Sequence, residues 1–335
     1  MMGAGHAHAH ASPDGDRRWL AGALAVIVLF LLGEVVVGVL AGSLALLSDA
    51  AHMLTDAASI ALALWAMRLS ARPATGRMTF GWKRVEILSA QANGVTLLLL
   101  AVWLTYEAIQ RLVHPPAVSG GLVLGTALVG VVVNLVATWM ISRADRASLN
   151  IEGAFQHILN DLFAFIATAI AGAVIMVTGF GRADGIATLV VVVLMVRAGV
   201  GLVRASSRIF LEAAPADLDP SAIGRAMAAR DGVVEVHDLH IWEITSGSPA
   251  LSAHVLVEPG RDCHAVREGV ARWLADEHHI EHATLQVDHA QPRLIELGAP
   301  SAPHCEITHG PAHLRPAVLS GCSESPAVHR PSASS

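Results

Sequence analysis

The sequence predicts an α-helical membrane protein with six transmembrane helices, followed by a small cytoplasmic α+β domain. Two observations lead to this fold class. The chain of 335 residues is 53% hydrophobic and only 15% charged, whereas a soluble protein of this length needs more charge on its surface. The mean hydropathy is positive, +0.54, and the long apolar runs all precede residue 213. After that position the composition becomes polar and acidic.

Six apolar runs are long enough to cross a bilayer, whose hydrocarbon core requires roughly 20 helical residues per crossing. We place these spans at residues 19–40, 44–67, 87–111, 121–141, 153–178 and 186–206. The second and fifth runs are less apolar because they carry ionisable residues. We expect a flexible, His-containing arm at residues 1–18 and a membrane domain at residues 19–212. A cleaved signal peptide is not expected, since further spans follow the first.

Basic residues are unevenly distributed between the loops that connect these spans. One side of the membrane receives only Arg111 and Arg182. The other side receives Arg17, Arg18, Arg68, Arg72, Arg77, Lys83, Arg84, Arg143, Arg146, Arg204 and Arg208. The positive-inside rule then predicts a multi-pass protein of the cytoplasmic (inner) membrane with both termini in the cytoplasm.

Residues 213–290 read as a separate domain with the element order αββαβ, which suggests a ferredoxin-like, metallochaperone-like fold. This segment holds 5 Lys/Arg against 13 Asp/Glu and eight His. Such an acidic, His-rich surface attracts cations and argues against nucleic acid as a partner. The chain's three Cys include no C-x-x-C pair, which argues against a thiolate zinc finger. Residues 291–335 are rich in Pro, Ala, Ser and Gly and are predicted to be disordered.

Two of the predicted spans carry the same pair of ionisable residues four positions apart. His52 and Asp56 lie in the second span, and His157 and Asp161 lie in the fifth. On a helix, each pair lies about one turn apart on one face. An aspartate in the middle of a span costs about 3 kcal/mol on insertion scales, so two matching pairs indicate function rather than packing. Two imidazoles and two carboxylates form a ligand set suited to Zn²⁺, with Cd²⁺ and Co²⁺ also open.

The same residues predict that metal and proton binding compete. A histidine must be neutral to bind a metal, so protonation of His52 or His157 displaces the ion. Asp49 precedes the first pair and Asn160 lies within the second, and we interpret them as residues that orient ligands or carry a proton. A site of this kind, exposed alternately to the two sides of the membrane, would act as an antiporter centre.

Four motifs occur in order along the chain: SDAAHMLTD at 48–56, TFGWKRVE at 79–86, EGAFQHILND at 152–161 and VHDLHIW at 236–242. Together they resemble the cation diffusion facilitator family, in particular its zinc-exporting bacterial branch. The resemblance covers most of residues 19–290. It implies a homodimer in the lipid bilayer that exports Zn²⁺ in exchange for protons, with a transport site formed by His52, Asp56, His157 and Asp161.

The resemblance implies two further sets of residues. Arg84 and Glu212 stand where family members pair a basic residue with an acidic one, so a charge interlock between them is a hypothesis. Relatives also bind regulatory zinc in the cytoplasmic domain. The matching positions in this chain are His237, His254, His264 and Asp288.

Three other interpretations compete with this one. An intramembrane zinc enzyme would normally carry His-Glu-x-x-His, which the sequence lacks, so no enzymatic activity is expected. A membrane-anchored zinc sensor or scaffold would not need ionisable pairs inside its spans. A Mn²⁺ or Fe²⁺ exporter of the same family is the closest alternative within transport. Asp in place of His52 or His157 would have favoured it.

Overall fold

The computed structural model describes residues 13–41, 44–114, 120–290 and 310–315, without the side chains of residues 13–14, 37–38, 41, 44–52, 120 and 122–123. Within these ranges the first part of the chain forms six long helices. They are α1 Pro13–Ala41, α2 Leu44–Ser70, α3 Val85–Val113, α4 Gly120–Ile141, α5 Leu149–Thr178 and α6 Ala183–Phe210. All of these except α2, whose first side chains are not described, contain a segment long and apolar enough to cross a membrane. The prediction of a helical membrane domain is confirmed.

These helices pack in two groups, each with its own apolar core. The first core joins α1, α2, α4 and α5 through fully buried side chains that include Leu20, Ile27, Ile60, Ile141 and Ile158. The second core joins α3 and α6 through Leu97, Ala101, Val191, Val192, Met195 and Leu202. This division places α2 and α5, the two helices that carry the predicted transport ligands, in the same group.

The α3–α6 pair is brought close together by glycines at the helix crossing. A Cβ atom on Gly199 would lie 2.9 Å from the carbonyl oxygen of Gly94, and a Cβ atom on Gly94 would lie 3.1 Å from that of Gly199. Small residues let membrane helices approach until their backbones are in van der Waals contact. A side chain at either position would therefore separate the two helices.

We expect Gly199→Ala to destabilise the membrane domain. Its methyl group would meet the Gly94 carbonyl, and overpacking of this kind typically costs about 1–3 kcal/mol. Gly201→Ala is the matched control, because a Cβ atom at Gly201 has no neighbour within 4 Å and gains the same helix propensity. The measurement is the melting temperature of each purified variant in detergent. Equal melting temperatures would contradict the close packing of α3 on α6.

The C-terminal part of the chain forms a second compact unit, whose described residues are 215–241, 250–290 and 310–315. Its elements are α7 Pro220–Ala228, β1 Val233–Glu243, β2 Pro249–Val257, α8 Cys263–His278, β3 His282–His289 and β4 His313–Leu314. The first five elements have the predicted αββαβ order.

The four strands form a mixed sheet in the order β3-β2-β1-β4. Strands β2 and β3 are parallel, with Ala250 opposite His282 and Val257 opposite His289. Helix α8 forms the crossover that a parallel pair requires. It begins after Asp262, whose carboxylate accepts hydrogen bonds from the first backbone N–H groups of the helix and so caps its N-terminus.

The short strand β4 lies in the tail for which the sequence predicted disorder. It pairs antiparallel with β1, with His313 opposite Val236. The guanidinium of Arg315 also forms an ion pair with Glu258. The prediction is therefore corrected for residues 310–315. Pairing with the open edge of a sheet stabilises a segment whose own composition is too polar to form a core.

Candidate metal centre

Three of the four predicted transport ligands lie together between α2 and α5. The Nε2 atom of His157 is 3.2 Å from Oδ1 of Asp56 and 4.0 Å from Oδ2 of Asp161. One ligand atom from each of the three residues lies within 4.8 Å of the others. Bonds from nitrogen and oxygen ligands to Zn²⁺ measure about 2.0–2.2 Å, so small side-chain movements would bring these atoms around one ion.

These three side chains are buried among the membrane helices. Asp56 and His157 are 0% exposed and Asp161 is 3% exposed. Buried carboxylates are rare unless an opposite charge or a metal compensates them. Two carboxylates beside one imidazole form an environment that a divalent cation would neutralise. The arrangement therefore suits a cation that enters the membrane domain.

Helix α5 is held against α2 next to this group. The side-chain amide of Asn150 donates a 2.9 Å hydrogen bond to the carbonyl oxygen of Ala63 on α2. Ile151, Ala154 and Ile158 on α5 are buried in the core that α2 shares. The role of Asn150 was not predicted from the sequence. Its only signal was a polar residue near the start of a span, because the partner is a backbone carbonyl 87 positions away.

The residues predicted to support the ligands are described to different extents. Asn160 is buried, and its amide donates a 2.6 Å hydrogen bond to the carbonyl oxygen of Gln156 one turn earlier. Asp49 and His52, the fourth predicted ligand, belong to α2, which runs without interruption from Leu44 to Ser70. Their side chains lie outside the described part of the structure, so the role of both residues stays a prediction.

Arg84 and Glu212 meet at one end of the α3–α6 pair. Nη2 of Arg84 donates a 3.2 Å hydrogen bond to Oε1 of Glu212, and the two side chains are 39% and 64% exposed. An ion pair with this exposure contributes on the order of 0–1 kcal/mol to stability. The pair therefore contributes little to the free energy of unfolding, and a strong effect of its removal would be expected on transport and not on stability.

The opposite end of the α3–α6 pair carries ion pairs that sequence analysis missed. Arg111, in the last turn of α3, pairs with Asp184 in the first turn of α6 and lies 3.1 Å from Glu107 on its own helix. A cation at a helix C-terminus and an anion at a helix N-terminus each interact favourably with the helix dipole. That complementarity was a visible signal, but the sequence does not show that the two helix ends meet.

Two of the four ligands predicted in the C-terminal domain are in contact. The rings of His237 on β1 and His254 on β2 lie 5.3 Å apart between centroids, and Oε1 of Glu235 lies 3.2 Å from Nδ1 of His237. His264 and Asp288 are exposed. Within the described ranges, these four predicted residues do not form a close group of metal ligands like the one between α2 and α5.

Comparison with known proteins places the chain in a family. Residues 20–211 match the model of the cation efflux transmembrane domain, and residues 215–290 match that of the cation efflux protein cytoplasmic domain. The chain is 38% identical to the metal cation efflux system protein CzcD of Cupriavidus metallidurans, over 86% of this chain and 90% of that protein.

Two further relatives are similar over most of their length. A cadmium, cobalt and zinc/H(+)-K(+) antiporter of Bacillus subtilis is 38% identical over 83% of this chain and 88% of that protein. The zinc transporter ZitB of Escherichia coli is 36% identical over 91% of this chain and 96% of that protein. With both of its domains matched and a buried group of potential metal ligands between two membrane helices, the chain belongs to the cation diffusion facilitator family of cation efflux transporters.

Proposed function

We propose that this protein exports Zn²⁺, and also Cd²⁺ and Co²⁺, from the cytoplasm in exchange for protons. The observation that carries this proposal is the buried group of Asp56, His157 and Asp161 between two membrane helices. The mixed nitrogen and oxygen donors favour these ions over Mg²⁺ or Mn²⁺. The names of the relatives from Bacillus subtilis and Escherichia coli, a cadmium, cobalt and zinc antiporter and a zinc transporter, support the same substrates.

His52 is proposed as the fourth ligand. It lies four residues before Asp56 on the same helix, which is the spacing that relates His157 to Asp161 on α5. Each helix then contributes one imidazole and one carboxylate. A set without thiolates is expected to hold Zn²⁺ less tightly than a structural cysteine site, as release to the other side requires. Asp49 and Asn160 are proposed to orient these ligands or to pass protons to them.

Charge balance in this site supports exchange for protons. Two carboxylates and two neutral imidazoles carry a net charge of −2, which either one Zn²⁺ or two protons would neutralise. A net charge is costly in the low-dielectric interior of a membrane domain. The site is therefore neutral in both loaded forms, so it can change access in either form without this cost.

The orientation follows from the distribution of basic residues between the loops, which favours both termini in the cytoplasm. We propose that the site opens alternately to the cytoplasm and to the opposite side of the inner membrane. We also propose that the protein is a homodimer, supported by the match of residues 215–290 to the cation efflux protein cytoplasmic domain, whose model is named for dimerisation. Light scattering of the purified protein would measure its subunit number, and a monomer would contradict this part of the proposal.

The direct test is Zn²⁺ uptake into proteoliposomes with an acidic interior. We expect uptake that requires the pH gradient, stops when an ionophore collapses it, and is inhibited by Cd²⁺ and Co²⁺. Uptake that is unaffected by the gradient would contradict proton coupling. No uptake in any condition would contradict the transport proposal and favour a zinc sensor anchored in the membrane.

The contact between Arg84 and Glu212 is proposed to fix α3 relative to α6 during transport. We expect Arg84→Gln to lower Zn²⁺ flux severalfold while changing the unfolding free energy by less than about 1 kcal/mol. The exchanged pair, Arg84→Glu with Glu212→Arg, should restore part of the flux. Arg72→Gln, which removes an exposed loop arginine, is the charge-matched control. Flux in Arg84→Gln equal to that of the control would show that the pair consists only of solvated charges.

A regulatory zinc ion is proposed to bind at His237 and His254, with His264 and Asp288 completing its ligands after a rearrangement. The contact between the first two rings supports this location. We expect His237→Ala with His254→Ala to reduce the number of Zn²⁺ ions bound by the full-length protein, without abolishing transport. His282→Ala, which removes an exposed histidine outside this set, is the control. Equal zinc content in both variants would contradict the site.

A further inference from the structure

A cavity of about 750 Å³ lies between α1 and α2. Among the residues that the structure describes, the charged side chains in its wall are Arg17 and Arg18, in the second turn of α1, and Arg68, in the last turn of α2. Like charges that lie close together repel each other, and an anion bound among these guanidinium groups would reduce that repulsion. The cavity therefore presents a concentration of positive charge at one end of these two helices.

The remaining wall of this cavity is apolar. Its side chains include Leu24, Leu64 and Trp65. Leu24 lies nearly two turns further into α1 than Arg17, and Leu64 lies one turn before Arg68 on α2, so the apolar wall is deeper in the helices than the charged wall. Trp65 is 57% exposed, and tryptophan is enriched at the interface between a membrane and water. The cavity thus changes from cationic to apolar along the helix axes.

We propose that this cavity binds an anionic phospholipid, with its phosphate among the three arginines and an acyl chain along the apolar wall. Arginine binds phosphate oxygens through two parallel N–H···O bonds, which favours it over lysine at such sites. Basic pockets between membrane helices are suited to anionic headgroups on the cytoplasmic side. A free phosphate ion would satisfy the arginines but would leave the apolar wall without a role. In the proposed orientation, the lipid comes from the cytoplasmic leaflet.

The bound lipid would join α1 to α2, the helix that carries Asp56. A ligand that binds only the folded state stabilises it in proportion to the logarithm of ligand concentration. The lipid should therefore begin to raise the melting temperature of the membrane domain near its dissociation constant, and the melting temperature should continue to rise with the logarithm of the lipid concentration. This effect does not depend on the identity of the transported ion, so it can be tested separately from transport.

The experiment measures the melting temperature of full-length protein in detergent during titration with phosphatidylglycerol or phosphatidylcholine. For wild type we expect the melting temperature to increase with the concentration of phosphatidylglycerol and not with that of phosphatidylcholine. In the triple variant Arg17→Gln, Arg18→Gln and Arg68→Gln, the lipid concentration needed for the same increase in melting temperature should rise at least about tenfold, since each basic residue near an anionic lipid contributes about a fivefold factor. The triple variant Arg17→Lys, Arg18→Lys and Arg68→Lys keeps the charge but loses the paired N–H groups. The phosphatidylglycerol concentration that it requires should lie between those of wild type and the Gln triple variant.

The matched control removes the same charge from exposed arginines outside the cavity, with Arg72→Gln, Arg77→Gln and Arg204→Gln. It should respond to phosphatidylglycerol like wild type. An equal loss of response in both triple variants would overturn the site in favour of general electrostatic attraction. If inorganic phosphate alone gave the full stabilisation, the lipid assignment would be wrong. Should the cavity variant not fold, Arg68→Gln alone and the count of lipids retained in native mass spectrometry give the same comparison.

Discussion

Asp161→Asn is expected to reduce Zn²⁺ transport to the level of protein-free liposomes. The amide has nearly the same size as the carboxylate, so the packing around this buried side chain is preserved while a charged ligand is lost. Loss of a residue that merely supports a metal ligand typically costs about 10–100-fold in affinity or activity, and loss of a ligand should cost more. The site would also no longer be neutral with Zn²⁺ bound. The measurement is the initial rate of gradient-driven Zn²⁺ uptake.

Asp217→Asn provides the control, because this acidic residue is exposed in the loop before α7. It should transport Zn²⁺ at the wild-type rate. The melting temperature of Asp161→Asn should be no lower than that of wild type, since the mutation removes a charge from a buried position. Normal uptake by Asp161→Asn would show that the transported ion binds elsewhere in the protein.

The second large effect concerns the choice of ion. We expect His157→Asp to lower Zn²⁺ flux by at least about tenfold and to introduce measurable Mn²⁺ flux, because carboxylate-rich sites favour harder cations than sites with imidazole. The buried position of His157 against Asp56 means that the new carboxylate would join the same group. The readout is the ratio of Zn²⁺ to Mn²⁺ uptake in separate assays with equal metal concentrations.

His282→Asp is the corresponding control in the C-terminal domain, because His282 is exposed and lies outside the proposed regulatory site. It introduces the same chemical change away from the membrane helices and should leave the ratio of Zn²⁺ to Mn²⁺ uptake unchanged. A ratio that shifts equally in both variants would mean that ion selection does not reside in the group between α2 and α5.

The residues of the candidate site could be grouped from the sequence because their signals are local. Four-residue spacing on a helix fixes which side chains share a face, so His157 and Asp161 can be paired from their positions in the chain alone. The contact between α2 and α5 was predicted on weaker grounds. Ionisable residues within a membrane span are costly unless they are paired, so the residues of the two spans were expected to lie together. The structure places Asp56 within this group, which supports that reasoning for the described side chains.

Two features formed by residues far apart in the chain were not predicted. The Arg111–Asp184 ion pair and the cavity lined by Arg17 and Arg68 depend on which helix ends are neighbours, and periodicity carries no such information. In β1, Asp238 has a positive φ of 51°, which is uncommon for residues other than glycine. Side chains of a regular strand alternate between the two faces of a sheet, and an irregular residue interrupts this alternation. The face on which each predicted ligand of β1 lies therefore cannot be read from its position in the sequence alone.

The measurement that tests the central claim most directly records Zn²⁺ entry and proton exit in the same proteoliposomes, using a zinc dye and a pH dye inside them. Wild type is compared with His52→Ala, which removes the proposed fourth ligand. We predict that Zn²⁺ entry and proton exit occur together in wild type and that both are lost in His52→Ala. Zn²⁺ entry without proton exit would contradict the exchange mechanism, and undiminished coupled movement in His52→Ala would contradict a site built from two histidines and two aspartates.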